Sequence, residues 1–289
     1  MMLKNFGQME QFVREQSGKK RVALAAAHDA DALGSLMMAV DRGIAEAILI
    51  GRRKEIVRVL DEMGKDAGDF RIIEEEDDRA AADKAVELVH CGEADMPMKG
   101  LMHTSTFMKA ILDKEKGLKE EGNLLSQASV FEIPEKDRFL IISDCAVNID
   151  PDLETKIKIT ENAAALAHTL GIEQPKIAVL SAVEVVNPKI RSTVDAAAMR
   201  ERLSDRYLID GPLALDNAID EAAAHHKGIE SPVAGNADIL IVPDLWSGNI
   251  FSKGLVFFAH LRSAGTLNGL KAPVVMSSRT DTVENKYLS

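Results

Sequence analysis

Cysteine is nearly missing from this chain. The two present, Cys91 and Cys145, lie far apart without CxxC spacing, so neither a disulfide framework nor a cysteine zinc site is indicated, and both read as reduced thiols. Aromatic residues are also scarce, at 4%, while alanine is abundant, which favours close helix-on-sheet packing over a β-sandwich. No run approaches the roughly 18 consecutive apolar residues of a membrane span, and the N-terminus lacks the apolar core of a secretory signal. The expectation is therefore a cytoplasmic protein without a membrane partner. Positive charge is in the minority: 35 Lys and Arg against 46 Asp and Glu give a net charge of -11, which argues against nucleic acid as a partner. An anionic ligand would need a local basic site. The chain has no GxGxxG after a strand, no GxxxxGK[ST] and no GxSxG elbow, and it offers no evident covalent nucleophile. Nor is there a metal-ligand set: His225 and His226 are adjacent, diverge by about 100° on a helix, and read as a solvated helix end. His168 reads as a helix-end residue.

What the chain does have is a run of alternating elements. Its 289 residues, 46% hydrophobic, suffice for one large or two medium domains. Apolar strand-like runs recur at 21–28, 46–52, 138–144, 176–182, 237–244 and 272–278, with helical patterns between them, and shorter strands or edges are expected at 71–76 and 130–137. That alternation predicts a mostly parallel sheet in each of two α/β lobes. DADALGSLMMAVDRG, DRAAADKAVELVHCG and PLALDNAIDEAAAHHKG read as helices stopped at Gly43, Gly92 and Gly228. The acidic run at 74–78 reads as a solvated strand end and helix start.

Near the end stands KAPVVMSSRTDT, a strand-like run that stops at Ser277, Ser278 and Arg279. Five other runs stop in the same way: at His28 and Asp29, at Gly51 and Arg52, at Asp144 and Asn148, at Glu184 and Asn187, and at Asp244, Ser247 and Asn249 beside Gly248. Each Asp, Ser or Asn, taken singly, is first of all a helix N-cap. Together they predict a ligand cleft, because in open α/β sheets ligands bind beyond the carboxyl ends of the strands. Arg279 is not explained by capping, since a helix N-terminus already carries positive partial charge; a cation there suits a bound phosphate or an oxyanion formed in acyl transfer. In PMKGLMHTSTFMK, Lys99, His103, Thr104, Ser105 and Lys109 surround a glycine. That segment fits either a phosphate cradle or an amphipathic helix with Leu101, Phe107 and Met108 in the core.

The segments VALAAAHD, PMKGLMHTS, SDCAVNIDPDL, LSAVEVVNPKI, TVDAAAM, DGPLALDNAI, ADILIVPDLWSGNI and KAPVVMSSRTD, in this order over nearly the whole chain, resemble the phosphate acetyl/butyryl transferase family, and its butyryltransferase branch most. The resemblance implies a two-lobed α/β fold like that of isocitrate and isopropylmalate dehydrogenases, with the active-site cleft between the lobes. Residues 1–133 with 272–289 would form one lobe and 134–271 the other. It implies the reaction of acyl-CoA with phosphate to give acyl phosphate and free CoA, with these as partners, CoA as substrate rather than a resident cofactor, no metal, and a homo-oligomer of two or more chains. Arg279 and Ser278 match the motif that stabilises the oxyanion. The substrate-binding candidates are His28, Lys99, Thr104, Ser105, Lys109, Asp144, Asn148, Glu184, Asn187, Asp244, Ser247, Gly248 and Asn249.

The chain departs from the acetyltransferase pattern at three points. An aspartate stands there six residues after the arginine, where this chain has Asn285; Glu284, with Asp281 as the other nearby carboxylate, is then the expected base for the CoA thiol. Lys109 stands where the family commonly has an arginine, keeping the charge without the fork. A helix from Thr282 has room for barely two turns before Ser289, whereas relatives continue further. Two competing readings remain: a decarboxylating dehydrogenase of the same fold, with Asp216 and Asp220 four apart on one helix, and a non-catalytic binder of CoA or phosphate. A phosphate acetyltransferase is the nearer alternative.

Overall fold

The computed structural model describes residues 1–16, 18–278 and 280–289. The chain folds as two compact units: a flanking unit of Met9–Asn123 with Ala264–Ser289, and a central unit of Met1–Gln8 with Leu124–Ser263. A divide at 133/134 would part β5 (Ser126–Ile133) from β6 (Arg138–Ser143), two strands joined as an antiparallel pair through a tight turn, with Asp137 left-handed at φ 46°.

Helix α1 (Phe6–Glu15) precedes the alternating elements of the flanking unit: β1 (Lys20–Ala25), α2 (Ala30–Asp41), β2 (Ala45–Gly51), α3 (Arg53–Glu62), β3 (Arg71–Glu74), α4 (Asp78–His90), β4 (Met96–Lys99) and α5 (Thr104–Ile111). All four strands are parallel, in the order β3-β2-β1-β4. Parallel strands are covered on both faces and so read as unbroken apolar runs, and Val22 to Ala25 are indeed buried one after another. Leu24, Leu33, Leu36, Leu49, Ile56 and Leu60 belong to the core between sheet and helices. The glycine stops at Gly43 and Gly92 are left-handed, at φ 75° and 73°.

The central unit continues with β5, β6, α6 (Leu153–Thr169), β7 (Lys176–Leu180), α7 (Arg191–Leu203), β8 (Leu208–Leu213), α8 (Leu215–Ile219), α9 (Glu221–His226), β9 (Ile239–Ile241) and α10 (Leu245–Phe257). Its strands run β5-β6-β9-β7-β8, parallel from β6 onward. Strand β10 (Ser263–Asn268) then carries the chain back to the flanking unit, which ends in α11 (Val283–Leu288). Both units are thus α/β, with mostly parallel sheets and flanking helices.

The long helix expected from Pro212 to Gly228 is corrected. Pro212 and Leu213 finish β8, and the remainder is two short helices broken at Asp220, whose backbone is extended (φ -125°, ψ 117°) and whose carboxylate caps α9 by accepting from Ala223 N at 2.7 Å. A side chain that competes for backbone N–H groups breaks a helix it would otherwise extend. Asp216 and Asp220 therefore do not share one helix face.

Candidate active site

At the carboxyl edge of the flanking sheet, β4 crosses very close to β1. Gly100 N–H donates to the Ala25 carbonyl at 2.8 Å, and Leu101 N–H to that of Ala26 at 3.2 Å. A Cβ at position 100 would lie 2.3 Å from the Ala26 oxygen, so only glycine fits. On the other side of β4 runs the closing segment of the chain: Val275 N–H donates to the Pro97 carbonyl and Lys99 N–H to the Val275 carbonyl, both at 3.0 Å. The strand expected over 272–278 is thus a single parallel bridge, Met98 to Val275, and it delivers Ser277 and Ser278 beside the end of β4.

A small pocket of about 240 Å³ opens here, lined by Lys99, Gly100, Leu101, Ser277, Ser278 and Lys286, with Asp29 and Asp31 of the α2 start completing it. Lys99 and Lys286 are both only 4% exposed. Burying an ammonium is costly unless it is paired or solvated by dipoles, so two in one small pocket give its buried side a positive character that favours an anion, while Asp29, half-buried, and Asp31, exposed, oppose it from the solvent side. The Lys99 Nζ lies 3.3 Å from the Gly100 carbonyl oxygen. Lys286 donates to the carbonyls of Ser278 at 2.9 Å and Asp281 at 2.6 Å.

The turn after Ser278 is built from its own side chains. Asp281 accepts from Ser278 N–H at 2.6 Å, and the hydroxyls of Ser278 and Thr280 are 3.1 Å apart. Asp281 is thereby committed to the backbone of this turn. Arg279 lies outside the described residues. Glu284 is exposed in the first turn of α11, and Asn285 beside it is buried. Helix α11 packs on α2, with Arg42 stacked 4.6 Å from the Tyr287 ring centre.

Helix α5 begins three residues after Leu101 of the pocket, and its cap residue, His103, makes no side-chain capping bond. Thr104 and Ser105, its first two residues, are exposed, as is Lys109, which shares the Ser105 face at i, i+4 spacing. The amphipathic reading of this segment also holds in part, because Phe107, Ala110 and Ile111 are buried while Leu101 is exposed. His28 follows β1 and has a buried Nδ1 without a hydrogen-bond partner; Arg52, the cap residue of α3, pairs with Glu55 in that helix.

In the central unit the strand ends behave differently. Asp144, after β6, accepts from Ala146 N at 2.8 Å and Val147 N at 3.0 Å through Oδ1, and from Asn148 N at 3.2 Å and Asn148 Nδ2 at 2.6 Å through Oδ2. Asp244 caps α10, accepting from Ser247 N at 2.8 Å and Ser247 Oγ at 2.9 Å. Asn249 Nδ2 donates to the Cys145 carbonyl, and a Cβ at Gly248 would lie 2.7 Å from the Asp144 carbonyl oxygen. These six predicted residues thus meet in one place, as two interlocked loops. Burial pushes the Cys145 thiol up to about 12, with the neighbouring Asp144 charge adding to it, so this sulfur is no thiolate at neutral pH. Glu184 belongs to a separate group, accepting from Asn217 Nδ2 at 3.3 Å and lying 3.5 Å from Lys227 Nζ. Lys227, hydrogen-bonded to Asp216, holds that carboxyl below the usual range. Asn187 is tied to the first turn of α7, its N–H and carbonyl both bonded to the Thr193 hydroxyl.

Asp31 and Lys286 were not among the residues legible in the sequence. Lys286 lies in the helix of barely two turns expected from Thr282, and a lysine buried by packing of its helix leaves no pattern. Among the described residues no group of three or more His, Cys, Asp or Glu could hold a metal ion, and no helix is long and apolar enough to cross a membrane.

The family described as Phosphate acetyl/butaryl transferase matches residues 78–288. A phosphate butyryltransferase of Clostridium acetobutylicum is 46% identical, with 100% of this chain and 96% of the relative covered. A phosphate acetyltransferase of Thermotoga maritima is 42% identical, with 97% of each covered. The crystal structure of a branched-chain phosphotransacylase from Enterococcus faecalis V583 is similar with a TM-score of 0.83 and 34% identity, covering 93% of this chain and 95% of that one.

Proposed function

Because the chain belongs to the phosphate acetyl/butyryl transferase family, we propose that it is an acyltransferase moving a short acyl group, butyryl or branched, between the thiol of coenzyme A and inorganic phosphate. A phosphate oxygen attacks the thioester carbonyl carbon, negative charge develops on the carbonyl oxygen, the C–S bond breaks, and CoA leaves as the thiolate. In the reverse direction a base takes the proton of the CoA thiol, whose unperturbed pKa is about 8.5 by analogy with cysteine. Ser278 and Arg279 are the proposed oxyanion donors and Glu284 the proposed base.

The observation that carries this reading is the pocket in which two buried lysines meet Ser277 and Ser278 at a sheet's carboxyl edge. At about 240 Å³ it suits a phosphate-sized anion and falls below the roughly 300 Å³ at which drug-sized ligand sites begin. Thr104, Ser105 and Lys109 are proposed to extend phosphate binding, and His28 with the loops of Asp144, Asn148, Glu184, Asn187, Asp244, Ser247, Gly248 and Asn249 to bind the rest of the substrate. A cytoplasmic homo-oligomer without a resident cofactor remains part of the proposal.

The dehydrogenase reading is not favoured: Asp216 is paired with Lys227, and Asp220 caps a helix. Thiol release from acetyl-, propionyl-, butyryl- and isobutyryl-CoA, each with and without phosphate, tests the proposal. The expected result is phosphate-dependent release with C3 to C5 acyl groups ahead of acetyl. A clear acetyl preference would move the chain to the acetyltransferase branch, and release independent of phosphate would reject the transfer altogether.

A further inference from the structure

Lys286 is a buried cation that neither the expected chemistry nor the capping of α11 accounts for. Its helix is docked on α2: Val283 Cγ1 lies 3.7 Å from where a Gly34 side chain would begin, and Tyr287 lies under Arg42. That docking buries Asn285, Lys286 and Leu288 and aims the Lys286 ammonium back along the chain at the turn after Ser278. There it donates to two backbone carbonyls, those of Ser278 and Asp281, which begin and end the same four-residue turn. Asp281 ties the other side of the turn through Ser278 N–H and donates its own N–H to the Ser278 carbonyl at 3.2 Å. Ser278 is thus held at both its N–H and its carbonyl by groups from one short stretch of sequence. A preorganised donor must be fixed before the charge develops, because orienting it during the reaction costs the free energy it is meant to supply.

The geometry points to Lys286 as a positioning residue of the acyl-transfer site. Its ammonium clamps the carbonyls of Ser278 and Asp281, so that Ser278 stands ready at the pocket, and its buried charge raises the affinity of that pocket for phosphate. It touches neither reacting carbon nor leaving sulfur, and acts through the turn. A side-chain ammonium offers three rotatable donors and a full positive charge, against two donors on a neutral amide and one on a hydroxyl. This inference rests on the phosphate acyltransferase reading above.

The test uses the full chain as wild type, Lys286→Met and Lys286→Arg. Phosphate-dependent thiol release from butyryl-CoA gives kcat per folded molecule and both KM values, while melting temperature is followed with and without inorganic phosphate. Lys286→Met is expected to lower kcat about tenfold or more and raise the phosphate KM, with the butyryl-CoA KM changed less than about twofold. It is also expected to abolish the rise in melting temperature given by phosphate. Lys286→Arg, which keeps charge and donors, should recover part of both. A folded Lys286→Met enzyme of unchanged kcat and phosphate KM, merely less stable, overturns the inference. So does an arginine variant as impaired as the methionine one. Should Lys286→Met fail to fold, Lys286→Gln, which keeps one amide donor group, is read by the same measures. A wild type that binds phosphate without releasing thiol rejects the acyltransferase reading alone, and the loss of that binding in Lys286→Met still supports the clamp. A wild type that does neither overturns both.

Discussion

The two units carry the same architecture and the same kind of strand ending, yet they use the polar residues there in opposite ways. In the central unit the carboxylates after β6 and β9 turn inward: Asp144 accepts four hydrogen bonds from Ala146, Val147 and Asn148, and Asp244 takes two from Ser247. In the flanking unit two buried cations from distant parts of the chain, Lys99 at the end of β4 and Lys286 in α11, meet around a pocket that also exposes Ser278, with Asp29 and Asp31 at its more exposed side. Carboxylates satisfied within their own loop give shape; cations brought together by tertiary packing give affinity for an anion. A polar residue after a strand therefore says little until its partners are known, and the distance in sequence to those partners separates the two uses.

The largest expected effect tests the flanking side of this contrast. Arg279→Ala should lower turnover by about two to three orders of magnitude, as for loss of one oxyanion donor, with a smaller change in CoA affinity and little in melting temperature. Arg279→Lys should recover only part, because the planar fork is lost. Full turnover in a well-folded Arg279→Ala protein would remove the reason for regarding this edge as the reacting one.

A pair of glycine substitutions sharpens the comparison at the level of backbone packing. Gly100→Ala forces a methyl to within 2.3 Å of a carbonyl oxygen, and Gly248→Ala to within 2.7 Å of another. Neither contact can be relieved by rotating a side chain, so the first should cost about 3 kcal/mol or more and the second about 1–3 kcal/mol. Only Gly100→Ala should also raise the phosphate KM, since it displaces the end of β4 that carries Lys99. Chemical denaturation and phosphate kinetics on both variants decide this; an equal rise in phosphate KM from Gly248→Ala would contradict the division of labour.

Much of the fold was legible because parallel strands announce themselves as apolar runs and helices close at glycine. β1, β2, β6 and β7 fall where their sequences predict, and α2 and α4 end at Gly43 and Gly92. The failures have physical causes. From Pro212 onward, a helical apolar pattern was overridden by sheet pairing in β8 and by Asp220 taking the cap of α9. The run at 272–278 yielded one bridge, at Val275, where a full strand was expected. In the site, Lys99 and Ser278 could be picked out beside a glycine and at a strand end, whereas Lys286 is buried only because α11 docks on α2. Helix docking is a tertiary event, and a terminal VENKYL carries no local trace of it.

The smallest expected effect concerns Asp144, and it separates shape from chemistry in the central unit. In Asp144→Asn one oxygen becomes an NH₂, so at least one of the N–H groups that now point at the carboxylate from Ala146, Val147 and Asn148 faces a donor. Leaving a buried donor unsatisfied costs about 1–3 kcal/mol, and the loop cannot turn that N–H to water while Asn249 and Gly248 pack against residues 144 and 145. Stability measured by denaturant should fall by that amount, while turnover per folded molecule changes less than about threefold, because the carboxylate is committed to its own loop. Asp144→Glu should be no better, since the longer side chain moves the oxygens away from N–H groups only two to four residues on. If Asp144→Asn kept full stability and lost turnover by a factor of a hundred, the carboxylate would be acting on substrate, and the central unit would share the chemistry assigned here to the flanking one.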